Sequence, residues 1–127
     1  MINFNENSIL DLKPIELDRI HKELNGFLIA GEQSIAAFKT VRDQLVFTNK
    51  RIISIDVQGL TGIRKSFATL PYSKIQYMTV QTPGFIEFVS DAELELIFSN
   101  GFTAKFEFNG RVDIGAISRA IAEYVLQ

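Results

Sequence analysis

Leu94-Glu95-Leu96-Ile97-Phe98-Ser99-Asn100-Gly101-Phe102-Thr103-Ala104-Lys105-Phe106-Glu107-Phe108 holds two apolar–polar alternations joined by a turn. Side chains alternate across a strand, so Leu94, Leu96 and Phe98 share one face, and Phe102, Ala104, Phe106 and Phe108 share one face of the next strand. Both sets belong in a core, which requires Phe98 to lie opposite Phe102. A two-residue Asn100-Gly101 turn would pair Ser99 with Phe102 and set Glu95 against Phe106. Face matching therefore selects the three-residue loop Ser99-Asn100-Gly101, with Gly101 in the left-handed conformation. The same register puts Glu95 beside Lys105 on the solvent side, a cross-strand pair contributing a few tenths of a kcal/mol.

Upstream, the period of two extends back to Glu32. Residues 35–40, 45–48, 51–57, 66–72, 75–82, 86–98 and 102–108 read as seven strands, rich in Ile, Val, Phe, Tyr and Thr. Turn residues separate them: Arg42-Asp43-Gln44, Asn49-Lys50, Gln58-Gly59 through Gly62, Pro83-Gly84 and Ser99-Asn100-Gly101. After Gly110 the period becomes 3.6, and Ile114, Ile117, Ile121, Tyr124 and Val125 make the apolar stripe of a C-terminal helix, with Asp113 suited to its N-terminal dipole. Before Leu28, Leu17, Ile20, Leu24 and Phe27 recur at helical spacing. Pro14 suits a first helical turn there and Gly26 a C-terminal cap, with residues 11–13 just ahead of the helix. The expected order is helix, seven strands, helix: an antiparallel sandwich or barrel.

At 127 residues the chain fits one domain, and 46% apolar with 22% charged residues is the composition of a globular protein. It has no cysteine, which excludes disulfides and thiolate metal sites and suits a reducing cytosol. Met1 to Glu6 lacks the basic and apolar regions of a secretion signal, and no apolar run approaches a membrane span. The expected location is the cytoplasm. Net charge is −2, so bulk attraction to nucleic acid or anionic lipid does not follow. The charge is segregated, however. Residues 39–74 carry seven basic and two acidic side chains, a balance of +5, whereas residues 85–113 carry two basic and six acidic ones, a balance of −4.

Several segments resemble the bacterial pleckstrin-homology-like family, long catalogued as a domain of unknown function. They are Gly31-Glu32, Phe38-Lys39-Thr40-Val41-Arg42-Asp43, Leu45-Val46-Phe47-Thr48-Asn49-Lys50-Arg51-Ile52-Ile53, Gln58-Gly59-Leu60-Thr61-Gly62, the corner Leu70-Pro71-Tyr72-Ser73-Lys74-Ile75, Asp91-Ala92-Glu93-Leu94, and the ending from Val112-Asp113-Ile114 to Tyr124-Val125-Leu126. The resemblance covers roughly residues 28–127, with residues 1–28 expected as an N-terminal helical extension and 29–127 as the domain. It implies a seven-stranded split barrel, four strands against three, with the C-terminal helix plugging one end. It also implies cyclic homo-oligomers with a hydrophilic protein-binding surface near the junctions of neighbouring subunits, and a pentamer is the first expectation. No activity or cofactor comes with it.

Candidate sites are few. His21 is the only histidine, and a Ser-His-Asp arrangement would have to use it; a solvated helix position is the plainer reading. Glu93 and Glu95 share a strand face with Glu107 across, a set that suits a hard cation or, more simply, a solvated surface. Gly59 and Gly62 do not make a phosphate loop, since no Lys-Ser/Thr follows and no helix opens there. Lys39, Arg42, Lys50, Arg51, Arg64 and Lys65 make a diffuse basic patch. The first strand connection, Arg42-Asp43-Gln44, is too short to wrap a polyphosphate headgroup, so specific phosphoinositide binding is not expected. Nucleic-acid binding is not expected either, because Phe38, Phe47 and Phe67 fit core positions rather than stacking ones. The expectation is a non-catalytic, cofactor-free scaffold that binds itself and an unidentified protein. Lys39, Arg42, Lys50, Arg51, Arg64, Lys65, Glu93 and Glu95 are the candidate interaction surface, and weak contact with anionic membranes is the alternative.

Overall fold

A computed structural model describes residues 9–82 and 89–127. The strands are β1 (Ile9–Ile15), β2 (Ser34–Lys39), β3 (Gln44–Thr48), β4 (Arg51–Gln58), β5 (Arg64–Pro71), β6 (Ile75–Gln81), β7 (Val89–Ser90), β8 (Glu93–Phe98), β9 (Thr103–Phe108) and β10 (Arg111–Val112), followed by helix α1 (Ile114–Val125). One eight-stranded sheet runs in the order β5-β4-β3-β2-β1-β9-β8-β6, and β7 pairs with β10 apart from it. The four strands β2–β5 and the three strands β6, β8 and β9 are the two halves of the expected split barrel, with α1 packed against β6 and the corner at Tyr72–Lys74.

The hairpin register is the one that face matching selects. Glu95 lies opposite Lys105 and Leu94 opposite Phe106, Phe98 N–H donates to the Phe102 carbonyl at 2.8 Å, and Gly101 has φ +89°. Leu94, Leu96, Phe98, Ala104, Phe106 and Phe108 are all buried. The long strand expected over 86–98 is divided: Asp91 has φ +62°, so the ladder stops between β7 and β8. The turn at Pro83-Gly84 and residues 86–88 lie outside the described residues.

The N-terminal helix is corrected. Residues 9–15 form β1, antiparallel to β2 and parallel to β9, which joins the two halves of the barrel and makes one pairing in the sheet parallel. Leu12 is buried in the central core from this strand. Leu17 and Leu24 fall on two 3-10 turns, Leu17–Arg19 and Lys22–Gly26, with Ile20 in extended backbone between them and Phe27 at the C-terminal cap of the second. The physical reason is Gln44. Its side-chain amide accepts from His21 N–H at 2.9 Å and donates to the Arg19 carbonyl at 2.9 Å, taking the groups a continuous helix would have bonded internally. Leu24 of this stripe is buried, whereas Leu17 and Phe27 are exposed.

The segment lies across the outer face of β2–β5. Leu24 packs there with Ala37, Val46, Ile53 and Ile55, flanked by Ile15, Ile20, Leu28 and Phe67. The four-stranded half is consequently covered on both faces, which explains why β3 and β4 read as near-continuous apolar runs. The inner face carries Phe38, Phe47 and Ile52, which share one core with Phe106 and Phe108 of β9 and with Ile114, Ile117 and Ile121 of α1. The helix starts where expected: Asp113 is its N-cap, accepting from Ala116 N–H at 3.0 Å.

Candidate interaction surface

The β2–β3 turn and the β4–β5 loop meet at one end of the four-stranded half, where the Arg42 guanidinium donates to the Gly59 carbonyl. Lys39 is exposed at the end of β2, in register with Lys13 of β1, and Arg64 is exposed at the start of β5. Lys65 is tied to Glu23 at 2.9 Å and to the Gly62 carbonyl at 3.3 Å. That ion pair holds the Glu23 carboxyl below its ordinary value. Both acids of residues 39–74, Asp43 and Asp56, are buried, Asp43 accepting from Val57 N–H at 2.8 Å. The outside of this end is therefore basic. It is also apolar: Val41, Leu60 and Ile63 project with 101, 106 and 75% exposure.

The remaining two cations of the candidate patch sit at the opposite end, Lys50 on the β3–β4 turn and Arg51 at the start of β4. Lys50 reaches the Tyr124 hydroxyl at 3.5 Å. Arg51 is a structural residue: it donates to both Glu32 oxygens at 2.9 and 3.0 Å, to Thr69 Oγ1 at 3.0 Å and to the Phe27 carbonyl at 2.7 Å. The Glu32 carboxylate is fully buried and also accepts from Thr48 Oγ1 at 2.6 Å and Ile29 N–H at 3.1 Å. Burial opposes its ionisation, but Arg51, Thr48 and Ile29 outweigh that and hold it below the ordinary carboxylate range. The six cations are thus split, with Lys39, Arg42, Arg64 and Lys65 together and Lys50 and Arg51 apart. Sequence reasoning placed Glu32 only within the Gly31-Glu32 segment of the resemblance, because the arginine that pairs with it lies 19 positions away.

The acidic candidates lie on the solvent face of β8 and β9. Glu93 is opposite Glu107, and Glu95 opposite Lys105. Lys105 leans to the diagonal neighbour Glu93, at 3.7 Å, rather than to Glu95. Burial and the adjacent Glu93 carboxylate raise Glu107 above its ordinary value, against the smaller influence of Lys105. Among the described residues no group of three or more acidic or histidine side chains is arranged to hold a metal ion. His21 stands at the break between the two 3-10 turns. Where β5 and β6 diverge, an open groove of about 510 Å³ is lined by Leu70, Pro71, Lys74, Phe98, Asn100 and Phe102. It is mostly apolar, with a single cation. Among the described residues no helix is long and apolar enough to cross a membrane.

A split barrel with a terminal helix agrees with a family model for the bacterial PH domain, which matches residues 3–125. The chain belongs to the bacterial PH domain family. This bacterial PH domain is 44% identical over 80 residues to the uncharacterised protein YjqA of Bacillus subtilis, a match spanning 63% of this chain and 62% of YjqA. It is 30% identical over 104 residues to the uncharacterised YozO of the same organism, spanning 82% of this chain and 88% of YozO. Among solved structures it is similar to a DUF1696 family protein with a pleckstrin-homology domain from Shewanella loihica, at 34% identity and TM-score 0.69, covering 92% of this chain and 99% of that one. A pleckstrin homology domain from Shewanella amazonensis matches at 37% identity and TM-score 0.57, covering 89% and 90%.

Proposed function

We propose that this bacterial PH domain is a non-catalytic protein-interaction scaffold that works in the cytoplasm as a cyclic homo-oligomer, with five subunits as the first number to test. The observation that carries the reading is the segregation of charge onto different halves of one sheet. Lys39, Arg42 and Arg64 mark one end of β2–β5, while Glu93, Glu95 and Glu107 share the solvent face of β8 and β9. A two-fold dimer sets the same patch against itself, whereas a head-to-tail contact brings unlike patches together and closes into a ring when the rotation per subunit divides the circle. Exposed charges of this kind mainly set orientation and association rate. Light scattering on the purified chain is the test of assembly: a mass of three or more subunits supports it and a monomer contradicts it. Capture of a protein from the native host that is lost with Arg42→Glu and Arg64→Glu would locate the partner-binding surface.

A second reading is favoured by a separate observation. Val41, Leu60 and Ile63 are fully or largely exposed beside Arg42 and Arg64. An apolar tip collared by cations suits peripheral contact with an anionic bilayer. The short connection between β2 and β3, with Arg42 engaged by Gly59, supports contact without headgroup specificity. Co-sedimentation with vesicles of phosphatidylserine against phosphatidylcholine tests it. Binding to the anionic vesicles that disappears in Leu60→Asp supports this reading, and indifference to vesicle charge removes it.

A further inference from the structure

The dipeptide Asn-Gly occurs three times, at Asn25-Gly26, Asn100-Gly101 and Asn109-Gly110. In this sequence a main-chain nitrogen reaches the preceding side-chain amide most easily, because glycine has no Cβ in the way. The fold treats the three sites differently. Asn109 is held on every side. Its N–H donates to the Leu12 carbonyl at 2.8 Å, its side-chain amide donates to Asp11 Oδ1 at 3.0 Å, and the Gly110 N–H donates to Asp91 Oδ1 at 3.4 Å. The two carboxylates oppose negative charge developing there. Asn25 is exposed within the 3-10 turn Lys22–Gly26, and among the described residues nothing is hydrogen-bonded to its side chain.

Asn100 is exposed at the tip of the β8–β9 hairpin and is arranged for reaction. The Phe102 N–H donates to Asn100 Oδ1 at 3.0 Å. That bond folds the side chain back over the intervening Gly101 nitrogen. It also sets a donor on the oxygen that becomes negative when this nitrogen adds to Cγ. Lys74 lines the same groove as Asn100 and favours that charge. The Gly101 N–H donates to the Phe98 carbonyl at 2.9 Å, and its proton leaves when that bond opens.

We propose that Asn100 is a self-modifying site that deamidates in the folded protein. The Gly101 nitrogen loses its proton and bonds to Asn100 Cγ. The bond from Cγ to Nδ2 breaks, and Nδ2 takes up a proton and leaves as ammonia. Water then opens the cyclic imide at one of two bonds. Cleavage of the new bond to Cγ leaves aspartate, whereas cleavage at the main-chain carbonyl carbon leaves isoaspartate, with the chain running through the side chain. Either product puts a carboxylate in the apolar groove whose cation is Lys74, and lowers the net charge of −2 by one. The isoaspartate form also lengthens the main chain inside the loop that sets the register of β8 against β9. The groove lining thus passes from cationic to charge-balanced as the molecule ages.

Trypsin places the three sites on separate peptides, residues 23–39, 75–105 and 106–111. The folded protein is held at mildly alkaline pH beside a sample unfolded in guanidinium chloride. Conversion is read by mass spectrometry, with aspartate and isoaspartate separated chromatographically. In the folded protein the Asn100 peptide is expected to convert several-fold faster than the other two. In the unfolded chain the three rates are expected to converge, because each site is then an unconstrained Asn-Gly. An Asn100 peptide that converts no faster than the others in the folded protein overturns the proposal. A lead that persists unchanged in guanidinium chloride assigns the reactivity to flanking sequence and overturns the role given to the turn.

Discussion

Arg51 looks like surface charge in the sequence and is the lid on a buried carboxylate in the structure. Removing it strands Glu32, whose side chain has no exposed surface. Arg51→Met is therefore expected to cost about 3 kcal/mol, read as a fall in the urea midpoint, since breaking one half of a buried pair leaves an uncompensated charge. Because Glu32 is held below its ordinary value of 4.5, the stability it contributes is present above that pH and is lost as pH falls through the lower folded value. The wild-type advantage over Glu32→Gln should accordingly shrink on acidification from pH 5. Glu107 runs the other way. Its folded value is raised above 4.5, so its favourable contribution exists at low pH and is lost as pH rises through the folded value. Glu107→Gln should melt higher than wild type at pH 7, with the difference closing below pH 4.5; a difference independent of pH would contradict the Glu93–Glu107 repulsion. Gly101 is a purely backbone case: at φ +89° a Cβ would meet nothing within 4 Å. Gly101→Val should cost more than about 1 kcal/mol while Gly101→Asn is tolerated far better, and equal melting temperatures for the two would refute the conformational argument.

Among the elements, α1 closes the barrel by setting Ile117 and Ile121, both buried, against the inner core. Ile121→Ala is expected to cost ~2–5 kcal/mol, measured by denaturant unfolding, and an unchanged curve would displace the helix from that role. Strands β2–β6, β8 and β9 and helix α1 were legible from their strand-forming or helical runs and the turn residues between them, most clearly in Leu94 to Phe108, where the period matches the partner face. The N-terminal segment was not. Leu17, Ile20, Leu24 and Phe27 have helical spacing, but a spacing pattern does not reveal that the Gln44 amide, more than twenty positions away, takes the bonds at Arg19 and His21. β1 hid for a related reason: Asp11 at φ +56° and Pro14 interrupt its alternation, and its register with β9 shifts between Ile9 and Leu12. Replacing Gln44 by Ala should loosen this segment first, seen as faster amide exchange at His21 with the central strands unaffected.

At the scale of the whole molecule, the candidate surface was legible as charge and not as geometry. The +5 and −4 segments are visible in the sequence, yet only the fold separates Arg42 and Arg64 from Lys50 and Arg51, buries Asp43 and Asp56, and ties Lys65 to Glu23. The exposed Val41, Leu60 and Ile63 were hidden by their composition, since aliphatic residues between strands are ordinarily assigned to a core. The described residues carry a basic end on β2–β5 and an acidic face on β8 and β9, the two patches that the proposed head-to-tail contact would bring together. The most direct measurement is the mass of the purified chain by light scattering at micromolar concentration, at low and at high salt. A single closed species of three or more subunits, forming more slowly at high salt, is expected; a monomer or a two-fold dimer at both salt concentrations would contradict it.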